Sequence, residues 1–154
     1  MTVRRVLFLC IGNSCRSQMA EGFARKYGSD VMECDSAGLS PAPIVQPLTK
    51  KVMEDKNVNI DGQFPKDLSS AEPSRFNLLI NMSGMKLPAR IPIEVREWKV
   101  EDPIGQSEEV YVTVRDQIEQ HVMALVLELR REQRRAVTPQ PLPGRSPNRF
   151  GRRR

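Results

Sequence analysis

The sequence predicts an α/β fold, a doubly wound parallel sheet with helices on both faces. Three observations predict it. Short apolar runs recur along the chain, segments between them carry apolar residues at helical steps, and the two kinds of segment alternate. One domain is expected from 154 residues, a length that can bury a real core.

Val3 to Leu9 reads as the first strand, buried and central. Arg16 to Tyr27 reads as a helix with the apolar stripe Met19, Ala20, Phe23, Ala24 and Tyr27, and Gly28 is placed to end it. Val31 to Ser36 is the second strand. Val45 to Asp55 is a weaker helix, with Leu48 and Val52 inward and Pro47 in its first turn. Residues 57–75 are dense in Asp, Gly, Pro, Ser and Lys and read as a surface connection with room for one helical turn. Phe76 to Met82 is the third strand and Val95 to Val100 a short fourth. Ser107 to Gln133 is a long helix whose stripe is Tyr111, Val114, Ile118, Val122, Leu125 and Leu129.

The net charge of +5 is a property of the C-terminus. Residues 134–154 hold seven arginines and no acid, and the remaining 17 basic and 19 acidic residues leave −2. That tail also holds Pro139, Pro141, Pro143 and Pro147 and almost nothing apolar, so residues 135–154 read as a disordered arm after a domain of residues 1–134. Such an arm can touch nucleic acid or an anionic surface. A solvated tail without a partner is preferred, because no aromatic interleaving supports the other reading. No apolar stretch is long enough to span a bilayer, and there is no secretory h-region. Three unevenly spaced cysteines make no disulfide framework, so a cytoplasmic protein with working thiols is expected, with no cofactor.

The chemistry concentrates in Cys10-Ile11-Gly12-Asn13-Ser14-Cys15-Arg16-Ser17. A cysteine ends a strand and an arginine starts a helix, with five residues between them. This arrangement makes a cup for a tetrahedral oxyanion: successive backbone N–H groups form a nest, and the helix adds its positive end. Gly12 is expected to take positive φ and admit close approach, and Asn13 tolerates the left-handed region. The Arg16 guanidinium can grip two oxygens at once. The same field favours a thiolate at Cys10.

Cys10 to Ser17 resembles the phosphate-binding loop of the low-molecular-weight protein tyrosine phosphatases, which thioredoxin-coupled arsenate reductases share. Ser36-Ala37-Gly38 and Asp102-Pro103 match as well, in the family's order, and the resemblance covers roughly residues 3–130. It implies four strands in the order 2-1-3-4, with Cys10 at the carboxyl end of the first. It implies that Cys10 is the nucleophile, that Arg16 and the amides of Ile11, Gly12, Asn13, Ser14 and Cys15 bind the oxyanion, and that Ser17 supports the thiolate. Asp102 would be the general acid, with Glu101 as local rival. In phosphatases of this family the cysteine matching Cys15 can pair with the nucleophile under oxidant. An inert packing thiol is the alternative. Cys34 reads as a core residue. Asn13, Glu21 and Ser36, with Asp67, match potassium ligands of some arsenate reductases, but loop bracing is preferred, and His121 alone makes no metal site.

The resemblance divides on substrate. Asn81 to Pro88 contains no cysteine, so the triple-cysteine relay of thioredoxin-coupled reductases is absent. Ile104 and Gly105 stand where family tyrosine phosphatases carry tyrosines after the Asp-Pro pair, and Tyr111 lies too far along the helix to replace them. The main expectation is a phosphomonoester hydrolase of tyrosine phosphatase type acting through a phosphocysteine, on a phosphorylated protein or small oxyanion. The alternatives are an arsenate reductase using an external thiol, and a non-enzymatic oxyanion-binding module.

Overall fold

Strand β1, Arg4–Cys10, forms the spine of the sheet. The structure is a computed structural model and describes residues 3–88 and 90–137. After β1 come α1 (Arg16–Gly28), β2 (Met32–Gly38), α2 (Pro47–Glu54), a 3-10 turn at Pro73–Arg75, β3 (Leu78–Asn81), β4 (Glu94–Glu97) and α3 (Glu108–Val137). The sheet is parallel throughout, with order β2-β1-β3-β4. Register pairs Cys10 with Gly38 on one side and Leu9 with Asn81 on the other, so the carboxyl ends of three strands meet at one edge.

Alternation along β1 sends Val6 and Phe8 to one face and Leu7 and Leu9 to the other, and all four are fully buried. The Val6 and Phe8 face carries all three α-helices. Met19, Phe23, Met53, Ile118 and Val122 join Leu78 and Ile80 in one cluster there. The Leu7 and Leu9 face is smaller. Leu68, Ala71, Phe76, Leu87 and Ile91 cover it, from irregular segments that include only the 3-10 turn. The expected α/β sheet of order 2-1-3-4 with helical cover is thus observed, the cover being unequal: three α-helices on one face and the 3-10 turn on the other. The segments crossing the second face contain Gly62, Pro65, Pro73, Gly84 and Pro88, which interrupt any helical run.

Element ends move for local reasons. Helix α2 starts at Pro47 rather than Val45, because Gln46 precedes a proline and takes the extended conformation (φ −61°, ψ 136°). Strand β4 ends at Glu97, in register with the last residue of β3, so Val100 is left in the following loop. Helix α3 continues to Val137, past the expected domain boundary at 134. The rest of the Arg/Pro-rich arm, residues 138–154, lies outside the described residues. No helix among the described residues is long and apolar enough to cross a membrane.

Candidate active site

The turn from β1 to α1 is fastened from outside by its carbonyls. Cys10 O accepts from Leu39 N (3.1 Å), Ile11 O from Ser40 N (2.8 Å) and Gly12 O from Ala42 N (2.9 Å). Ser14 O accepts both Gln46 N (3.1 Å) and Thr49 Oγ1 (3.0 Å). With its carbonyls engaged outward, the turn directs amides at the sulfur, and Asn13 N–H reaches Cys10 Sγ at 3.2 Å. Cys15 occupies the N-cap of α1 without a side-chain cap, and the first turn of the helix holds no acid. The first amides of α1 therefore keep their capacity for an anion.

Positive φ falls on Asn13 (51°) and not on Gly12, which corrects the expectation for that glycine. Asn13 suits the left-handed region because its short amide bonds locally. The glycine that close approach requires is Gly38. A Cβ there would lie 2.7 Å from Ile11 O and 3.0 Å from Asn13 N. Gly38→Ala should therefore push the Cys10 loop off its β2 support, at a cost of about 1–3 kcal/mol in stability, together with a loss of oxyanion affinity. Thermal unfolding and phosphate titration measure the two effects, and an unchanged melting temperature would show that the loop yields freely.

Asn13 is the centre of a directed hydrogen-bond network. Its Oδ1 accepts Lys66 N–H (2.9 Å), and its Nδ2 donates to Ser17 Oγ (2.7 Å) and Ser36 Oγ (2.9 Å). Ser17 thus receives one proton and has its own to give, and Cys10 Sγ lies 2.8 Å away. The Ser17 hydroxyl is thereby left to donate to the sulfur. Ser36 passes its proton to Glu21 Oε1 (2.5 Å), and Glu21 is held by Arg25 (2.8 Å). Lys66 Nζ bonds Asp35 (2.9 Å) and Ser36 O (3.0 Å), while Asp67 turns to Ser69. Asn13, Ser36 and Glu21 thus form one continuous hydrogen-bonded chain, while Asp67 bonds Ser69. Gln18 Nε2 adds a bond to Asn13 O at 2.9 Å.

Arg16 is 4% exposed. Its Nη1 donates to Met82 O (2.5 Å) and Val100 O (3.1 Å), and its Nη2 stands 3.5 Å from Asp102 Oδ2. A buried guanidinium needs such partners. Asp102 is half-exposed and turns its other oxygen to Ile104 N–H (3.1 Å). Glu101 is exposed and makes no contact with Arg16. Ile11 and Ile104 are exposed apolar side chains on the loop and on the Asp102 segment.

Cys15 is buried, and its thiol donates to Tyr111 Oη at 3.7 Å. Burial, more than any neighbour, pushes the Cys15 thiol up, and burial together with Cys15 pushes the Tyr111 hydroxyl up. Cys34 is only half-buried at the edge of the core. Its thiol faces Glu21 O at 3.8 Å, and burial raises it to about 12. A raised value leaves less thiolate near neutrality, so brief alkylation by iodoacetamide at pH 8 should spare Cys15 and Cys34. Mass mapping of the three cysteine peptides checks this, and prompt labelling of Cys15 would contradict it. His121 stacks on Trp98 (centroids 4.9 Å apart) at the helix surface.

The structure gathers Cys10 to Ser17 in one turn and brings Asp102 to Arg16, as the sequence signals expect. They missed Lys66, Gln18 and Thr49, which act on the loop's backbone or through their own. The Met82 and Val100 carbonyls that hold Arg16 carry no side-chain signature at all.

Comparison with known proteins agrees with this geometry. The family described as low molecular weight phosphotyrosine protein phosphatase matches residues 5–135. A glutaredoxin arsenate reductase of a Synechocystis species is 35% identical, covering 82% of this chain and 99% of that protein. Arsenate reductase 1 of Bacillus cereus is 34% identical, over 75% of this chain and 88% of its own. A solved structure of an arsenate reductase in the phosphate binding state superposes with a TM-score of 0.77 at 34% identity. It covers 82% of this chain and 99% of that one.

Proposed function

The chain belongs to the low molecular weight phosphotyrosine protein phosphatase family, and from that premise we propose that it reduces arsenate with thiols supplied from outside. One observation carries the reading. The Ser17 hydroxyl and the Asn13 amide converge on the Cys10 sulfur at the uncapped end of α1, whose first residue, Arg16, stands 3.5 Å from Asp102. The similarity to arsenate reductases over nearly their full length supports the choice of oxyanion.

In this reading the Cys10 thiolate attacks arsenic and forms an S–As bond. Asp102 protonates one arsenic-bound hydroxyl, which leaves as water. Arg16 and the loop amides hold the remaining oxygens as charge builds on them. A thiol then attacks the Cys10 sulfur. An S–S bond forms, the S–As electron pair passes to arsenic, and arsenite departs. A second thiol cleaves the mixed disulfide and returns Cys10 as thiolate. Cys15 donates to Tyr111 and Cys34 faces the Glu21 carbonyl, and in this reading the resolving sulfur comes from outside the chain.

Phosphomonoester hydrolysis is the second reading, and the Asp102 carboxylate beside Arg16 favours it. There Asp102 would protonate the leaving oxygen and then activate the water that opens a phosphocysteine. Ile104 and Gly105 after the Asp-Pro pair give a phosphotyrosine ring no aromatic clasp. A pure binding module would need neither nucleophile nor acid. The test is a parallel assay of the purified protein, with arsenate plus glutathione, with or without glutaredoxin, against an aryl phosphate. Arsenite formation above the uncatalysed rate is expected. Aryl phosphate turnover without arsenite formation would overturn the arsenate reading in favour of the second.

A further inference from the structure

A groove of about 570 Å³ opens between the loops that follow β3 and β4, lined by Met82, Gly84, Met85 and Lys86 on one wall and Glu97 to Glu101 on the other. We propose that this groove holds the external thiol, as a small peptide thiol bearing carboxylates, of the glutathione class. The inference rests on the arsenate reading.

Position is the first argument. Met82 N–H donates to Leu9 O at 2.7 Å, so the groove wall begins one strand away from the residue preceding Cys10. Neighbouring strands lie about 4.8 Å apart. Met82 and Val100, which line the groove, are also the residues whose carbonyls hold Arg16, and Asp102 directly follows the wall residue Glu101. A ligand seated here touches the two residues whose carbonyls hold the Arg16 guanidinium.

Charge is the second argument. The charged lining residues are Lys86, Glu97, Lys99 and Glu101. Glu97 accepts from Asn81 Nδ2 at 3.2 Å. Lys86 and Lys99 stand on opposite walls and are both exposed, and neither makes an ion pair among the described residues. A γ-glutamyl tripeptide carries a carboxylate toward each end of the molecule, with its thiol between them, and an ammonium beside one. The two lysines suit the carboxylates, Glu101 suits the ammonium, and the thiol between them is left to the Met82 and Val100 segments whose carbonyls hold Arg16. Met85 and Trp98 supply apolar surface for the backbone between.

Trp98 is the only tryptophan and lines the groove, so its fluorescence reports occupancy. The experiment titrates S-methylglutathione, which cannot react, into full-length Cys10→Ser protein. Amide shifts are followed alongside Trp98 emission. Saturable shifts at Gly84, Met85, Lys86, Trp98 and Lys99 are expected. Adding Lys86→Glu and Lys99→Glu should weaken binding roughly tenfold for each lost charged contact, while phosphate binding at the loop stays unchanged. In the active protein the same pair should raise KM for glutathione and leave the rate with uncharged 2-mercaptoethanol unaltered. Binding that maps elsewhere, or that ignores both lysines, overturns the inference. Arsenate reduction with an unchanged KM for glutathione overturns it while the proposed function stands. Lysine-dependent binding without any arsenate reduction removes the arsenate reading and leaves the groove assignment intact.

Discussion

Replacing Cys10 by serine should abolish any turnover of arsenate or aryl phosphate and leave oxyanion binding in place. The loop carbonyls remain tied to Leu39, Ser40 and Ala42, and Arg16 keeps Met82 O and Val100 O, so the cradle does not depend on sulfur. What is lost is the atom that bonds to arsenic or phosphorus. Removing a nucleophile that acts in concert with its partners costs on the order of 10⁶-fold in rate. Rapid acid quench of wild-type protein with labelled aryl phosphate should also trap a phosphocysteine. The decisive comparison sets phosphate affinity by titration against steady-state rate. Substantial turnover by Cys10→Ser would end any covalent mechanism at this site.

Asp102→Asn should slow the reaction by about 10² to 10⁴, the range for a lost general acid. Its oxygens face Arg16 Nη2 and Ile104 N, so asparagine can keep the shape while giving up proton transfer. Dependence on the leaving group separates the two roles. Phosphates of poorly acidic alcohols, and arsenate with its hydroxide leaving group, should suffer most. Activated aryl phosphates need little protonation and should suffer least. If every substrate slows equally and phosphate affinity falls in parallel, Asp102 serves Arg16 electrostatically and is not the acid. Glu101→Gln should leave acid catalysis unaffected, because that side chain makes no contact with Arg16.

The spine of this fold was readable because apolar alternation along Arg4–Cys10 and the stripe of α3 are strong local signals. The order of the strands came from family resemblance, since nothing in a single strand names its neighbours. The second face was legible only in outline. Segments rich in glycine and proline still cover Leu7 and Leu9, but they do so as irregular chain without a period to read. At the site, Cys10, Arg16 and Ser17 were legible because their spacing is itself the chemistry. Gly38 was legible as a motif but not as a steric necessity, because the clash is with Ile11 O, a partner remote in sequence. Lys66 was invisible for a similar reason: its contribution to Asn13 is a main-chain N–H.

The unequal covering of the two sheet faces has a consequence for hydrogen exchange. The helical face should open only with the whole domain, so amides of α1 and α3 report global unfolding. The irregular cover over Leu7 and Leu9 buries fewer apolar side chains and should open as a smaller, cheaper unit. Lys66 belongs to that cover, and its amide is the one that fixes Asn13 Oδ1. Each such opening releases Asn13, and with it the hydroxyl of Ser17 that addresses Cys10. The fraction of molecules ready for chemistry is then governed by the weaker face of the sheet. A bound oxyanion that stiffens the loop should slow exchange at Lys66 and Leu68, on the far side of β1 from the helices.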